Sequence, residues 1–131
     1  MSHLNLIAMY QVDSNAENLL AFVIPDPATK TKNGLFIEFD NGKLVEITSS
    51  KSGMNKQLYS EYLNNLLVNA ERWKASGVSV VLESKENSLY VYKDQRSYMT
   101  IGGGKLSNKY FVDISFTEKQ YHERKHGILE N

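Results

Sequence analysis

The chain has 131 residues, 15 Lys and Arg against 15 Asp and Glu, a formal net charge of zero and no Cys. That length suits one domain, residues 1–131, able to bury a core without disulfides or metals. The charge balance gives no global field for nucleic acid or an anionic membrane. The missing Cys excludes thiol catalysis, disulfides and cysteine metal sites, and leans towards a reducing compartment.

Residues 1–11 lack a basic segment followed by a sustained apolar stretch, so they do not read as a signal peptide. No apolar run approaches the roughly 20 residues that span a bilayer. A soluble, cytoplasmic protein is expected. Leu4 to Val12 alternates imperfectly and reads as a first strand, followed by turn residues Asp13-Ser14-Asn15. Leu19 to Ile24 is a short continuous apolar run that fits a buried strand or a buried helix. Residues 16–24 are therefore left open between the two. Pro25 and Pro27 end that segment, and Pro25 to Gly34 reads as an exposed loop.

Leu35 to Phe39 and Lys43 to Ile47 flank Asp40-Asn41-Gly42. Asn-Gly supplies the two positive-φ positions of a type I′ turn, so a hairpin is expected with Asp40 opposite Lys43 and Phe39 opposite Leu44. Leu35, Ile37 and Phe39 then share a face with Leu44 and Glu46. Phe36, Glu38, Val45 and Ile47 take the other. Thr48 to Gly53 reads as a loop.

Ser52 to Gly77 reads as one long amphipathic helix. Tyr59, Tyr62, Leu63, Leu66, Ala70 and Trp73 recur at spacings of three and four and form one stripe, flanked by Leu58 and Leu67. Ser52 is the candidate N-cap and Gly77 the candidate stop.

Val78 to Leu82 is a strand and Ser84 to Asn87 a turn. Leu89 to Tyr92 and Tyr98 to Ile101 pair around an Asp94-Gln95 tip, with Tyr90 facing Met99. Gly102-Gly103-Gly104 reads as a flexible loop. Tyr110 to Phe116 is a final strand with Tyr110, Val112, Ile114 and Phe116 on one face. Thr117-Glu118-Lys119-Gln120 fits a capping box and starts a short C-terminal helix. The expected class is α+β: a predominantly antiparallel sheet of about six to eight strands on one long central helix, with a short C-terminal helix.

Three constellations bear on function. His122-Glu123-Arg124-Lys125-His126 satisfies H-E-x-x-H. His122 and His126, four apart, share a helix face and can bind one zinc, while Glu123 can act as base on zinc-bound water. Little chain follows to supply a third ligand. Only His3 or an upstream carboxylate could complete the set, and Glu130 sits near the end. Gly102-Gly103-Gly104-Lys105 fails the phosphate-loop pattern, since Met99 and Leu106 stand where Gly and Ser or Thr belong. Tyr90, Tyr92 and Tyr98 form a candidate recognition surface, because Tyr is enriched at protein interfaces. Lys109-Tyr110-Phe111-Val112 lacks the glycines of an RNA-binding sheet motif, and there is no G-x-S-x-G.

The leading expectation is a non-enzymatic module that binds a protein partner, as inhibitors, immunity proteins and adaptors do, without cofactor, nucleic acid or membrane. One alternative is a zinc-dependent hydrolase with His122 and His126 as ligands and Glu123 as base. Another is a small-molecule binder with a pocket between sheet and helix.

Overall fold

The computed structural model describes residues 11–12, 18–73, 79–83 and 87–127. The element order is β1 (Gln11–Val12), β2 (Leu19–Asp26), β3 (Thr31–Asp40), β4 (Lys43–Met54), α1 (Lys56–Trp73), β5 (Ser79–Glu83), β6 (Asn87–Lys93), β7 (Ser97–Leu106), β8 (Lys109–Glu118) and α2 (Lys119–His126). All eight described strands join one sheet in the order β1-β2-β3-β4-β8-β7-β6-β5. Every neighbouring pair is antiparallel. The class is α+β.

The open segment at residues 19–24 is strand β2, which continues through Pro25 to Asp26. Pro25 pairs with Lys32 of β3, while β1 reaches only Ala21 and Phe22 on the other side. Among the described residues Pro25 therefore lies on an open edge, where a missing N–H is tolerated. The expected loop from Pro25 to Gly34 shrinks to the turn after Asp26, because β3 already begins at Thr31.

The Asn41-Gly42 hairpin forms as expected, with φ of 52° and 77° at the two tip residues. Asp40 faces Lys43 and Phe39 faces Leu44. Beyond that pair a bulge shifts the register, so Glu38 faces Glu46 and Ile37 faces Ile47. One extra residue in one strand reverses every later side chain. Glu46 therefore joins the Glu38 face and Ile47 the Ile37 face, opposite to the sequence expectation.

Helix α1 is 18 residues long, shorter than the 52–77 stretch. Ser52 lies in β4, and Asn55 makes the cap: its Oδ1 accepts from Leu58 N–H at 2.8 Å. Gly77 lies outside the described residues. The expected stripe is packed from Tyr59 to Ala70, and the Trp73 side chain lies outside the described ones. Leu58, Tyr59, Tyr62, Leu63, Leu66 and Leu67 lie against a buried cluster of Met54, Ala70, Tyr92, Met99, Ile101 and Val112. Burying a large apolar side chain contributes roughly 1.5–3 kcal/mol, so this stripe is a principal source of stability.

Gly102, Gly103 and Gly104 are not a loop but part of β7. A Cβ on Gly103 would stand 2.9 Å from the Tyr59 hydroxyl and 3.0 Å from its ring. Glycine there lets Tyr59 lie flat on the sheet and stack on Tyr110 at 4.8 Å. The β6–β7 tip is also displaced. Tyr92 faces Met99 and Lys93 faces Tyr98, so the turn is centred on Gln95-Arg96. Asp94 dictates this, because its Oδ1 accepts from Arg96 N–H at 2.8 Å and Ser97 N–H at 2.7 Å. The shift is two residues, so each side chain keeps its expected face.

Strand alternation then separates two sides of the sheet. Met99, Ile101, Gly103 and Val112 face α1. Tyr98, Thr117 and Glu46 face the opposite side, where α2 packs.

Candidate functional site

Helix α2 starts one residue later than the capping box implies. Glu118 is the cap, accepting from Gln120 N–H at 3.2 Å and Tyr121 N–H at 2.9 Å. Thr117 remains in β8 and donates to Glu46 Oε2 at 3.1 Å. Gly127 stops the helix in the left-handed conformation.

The charged composition of α2 suggests a solvated helix, yet His122 and Glu123 are both buried. The His122 ring stacks on Tyr98 with centroids 4.0 Å apart and planes at 13°. The Tyr98 hydroxyl donates to Glu123 Oε2 at 3.0 Å, and Lys93 Nζ lies 3.8 Å from the same oxygen. Burial pushes the Tyr98 phenol up, and the hydrogen bond to Glu123 adds to it. Burial pushes His122 below the ordinary histidine range, with nearby His126 acting in the same direction.

The rest of α2 is held by opposite charges. Arg124 donates to Asp40 Oδ2 at 2.9 Å. Lys125 Nζ lies 3.6 Å from Glu46 Oε2 and 4.0 Å from Glu38 Oε2. The β3–β4 bulge is what puts those two glutamates opposite each other. Sequence reasoning missed this cluster, although acids on a hairpin and bases on a late helix were its visible signal.

The H-E-x-x-H residues thus sit as follows. His122 and His126 are adjacent, with ring centroids 4.3 Å apart. Glu123 points into the sheet, and its Oε2 is engaged by Tyr98 and Lys93. No group of three or more metal-ligating side chains occurs among the described residues. His3 and Glu130 lie outside them. The arrangement visible here docks a helix; it does not present a carboxylate to a water between two histidines.

The tyrosine surface needs correction. Tyr92 is 3% exposed and Tyr98 6%. Tyr90 and Tyr92 are on the α1 side and Tyr98 on the α2 side, because Tyr92 faces Met99 and Lys93 faces Tyr98. Hydrophobic burial claims the rings of Tyr92 and Tyr98, while Tyr90 is half-buried.

Exposed apolar side chains occur at several places, Leu106 and Phe116 among them, but three in succession lie on β5, at one end of the strand order. Val80, Val81 and Leu82 are 46%, 53% and 56% exposed. The five β5 residues pair with β6 in an unbroken register, Ser79 with Tyr92 through Glu83 with Ser88. Among the described residues no strand pairs with the outer edge of β5. That edge carries no Pro, no Lys and no bulge, the usual devices that block an edge. Sequence analysis saw the strand but not its place, because strand order is not written in local pattern.

No helix among the described residues is long and apolar enough to cross a membrane. Comparison with family models, with curated proteins and with solved structures found no match for this chain.

Proposed function

We propose that the protein is a binding module of the inhibitor, immunity or adaptor type, which captures a partner protein by adding its strand to β5. The observation that carries this reading is the unblocked β5 edge with three consecutive exposed apolar side chains. An extended segment gains main-chain hydrogen bonds there, and side chains at alternate positions supply selectivity. Val80 and Leu82 face one side of the sheet and Val81 the other, so the partner strand needs apolar residues on both of its faces.

In this reading α1 is the platform of the sheet. Its main contacts are with β4, β7 and β8 at the centre of the sheet.

Selection from a random-peptide display library tests the reading. Peptides enriched on the whole chain are expected to be rich in β-branched and apolar residues. They should lose at least tenfold in affinity for Val81→Lys. Enriched peptides that bind Val81→Lys equally well, or no enrichment, would contradict it. Sedimentation that shows the chain alone to be a dimer, dissociated by Val81→Lys, would assign the edge to a second copy instead.

A further inference from the structure

We propose that a cleft at the far end of the β4–β8 pair binds a small phosphate monoester carrying one apolar group. This site is separate from the β5 edge and does not depend on its role.

The cleft arises from a fault in the ladder. β4 and β8 pair regularly from Glu46 and Thr117 to Lys51 and Val112, and the pairing resumes at Met54 with Tyr110. Ser52 and Gly53 together face Phe111, so β4 carries one residue too many. Bulges of this kind occur often beside functional sites. The opening holds about 240 Å³ and is lined by Lys30, Lys32 and Lys109, with Ser52 and Gly53 of the bulge. Leu106, Tyr110 and Phe111 give it an apolar wall.

The backbone here is held in an uncommon shape. Gly53 has φ of 78°, and Lys30, a non-glycine, has φ of 58°. A Cβ on Gly53 would lie 3.2 Å from the Lys30 carbonyl oxygen. The glycine therefore lets the β2–β3 turn close onto β4 and brings Lys30 to the cleft. Left-handed non-glycine residues cluster at ligand sites.

The charge is one-sided. No carboxylate lines the cleft. Among the described residues Lys30, Lys32 and Lys109 make no salt bridge. Asp26 is at the same end of the sheet, but its Oδ1 accepts from Ala28 N–H within its own turn, at 3.1 Å. Asp40, Asp94 and Glu118 stand at the opposite strand ends. Lys30, Lys32 and Lys109 thus gather at one mouth of the central strands with no carboxylate in its lining.

Three ammonium groups and a hydroxyl suit a dianion with several acceptor oxygens better than a carboxylate, and Lys binds phosphate as a point charge. The volume is below the usual range of about 300–1,000 Å³ for ligand pockets, which limits the ester to one ring or a short chain. The wall of Leu106, Tyr110 and Phe111 would cover that group.

Calorimetric titration of the whole chain with phenyl phosphate, inorganic phosphate and benzoate tests this. Phenyl phosphate is expected to bind at one site, at least tenfold tighter than either comparator, and to weaken with added salt. Lys32→Ala with Lys109→Ala should weaken it at least tenfold without moving the thermal midpoint. Should that pair fail to fold, Leu106→Ser decides: it should weaken phenyl phosphate and leave inorganic phosphate unchanged. No binding of phenyl phosphate at millimolar concentration would overturn the proposal. So would equal binding by the lysine variant, equal affinity for inorganic phosphate, or binding only to vesicles containing phosphatidic acid.

Discussion

The Tyr98 hydroxyl donates to Glu123 Oε2 at 3.0 Å, joining strand β7 to helix α2 through two buried side chains. A hydrogen bond to a charged group contributes roughly 1.5–3 kcal/mol, and its loss leaves a buried carboxylate with Lys93 alone. Tyr98→Phe should lower the stability measured by urea unfolding by about 1–3 kcal/mol. In a Glu123→Leu background the same change should cost much less. Equal costs in both backgrounds would mean the two side chains are not coupled.

His122 makes α2 docking pH-sensitive. Burial depresses its folded pKa below 6.5, so on acidification the unfolded chain takes up the proton first. This contribution to stability is fully present above pH 6.5 and is lost as pH falls below it, until the folded pKa is passed. Glu46 opposes the shift, while His126 and Lys125 reinforce it. One such group can steepen the dependence by at most about 1.4 kcal/mol per pH unit. Urea unfolding at a series of pH values should show a flatter profile for His122→Gln between pH 7.5 and 5. An unchanged profile would contradict the assignment.

Gly103 is required by Tyr59. Gly103→Ala should cost about 1–3 kcal/mol of overpacking, read as a lower thermal midpoint. With Tyr59→Leu, which removes the ring, the alanine should be tolerated. An alanine that costs as much without the ring would show that the strand backbone, not the ring, is the constraint.

Lys125 separates two facing glutamates. Its side chain is about half exposed, so Lys125→Met should cost only about 0.5–1 kcal/mol. Glu38→Gln should restore most of that, since it removes one of the like charges. Arg124→Ala breaks a single exposed pair with Asp40 and should cost less than 1 kcal/mol.

The elements that were legible carry their instruction locally. Asn41-Gly42 dictates its own turn, and the spacing of Tyr59, Tyr62, Leu63 and Leu66 dictates which side of α1 is buried. The bulge beyond Phe39 has no signature in the local residue pattern, and it reverses the faces of the residues after it. Glu46 changed sides for that reason, and with it the seat of Lys125. Three consecutive glycines read as a loop because what the middle one, Gly103, accommodates, the ring of Tyr59, lies more than forty residues away in the chain. The H-E-x-x-H letters were correct about the shared face of His122 and His126. They could not show that Tyr98 and Lys93 hold Glu123. Tyr92 and Tyr98 read as surface but are core, because one aromatic strand pattern serves equally for core and for interface.

The most direct test of the β5 edge is amide hydrogen exchange on the whole chain, with and without a peptide selected on it. Slowed exchange confined to backbone amides of residues 79–83 is the result expected from strand addition. Protection centred on α2 or on the lysine cleft, with β5 unchanged, would contradict it.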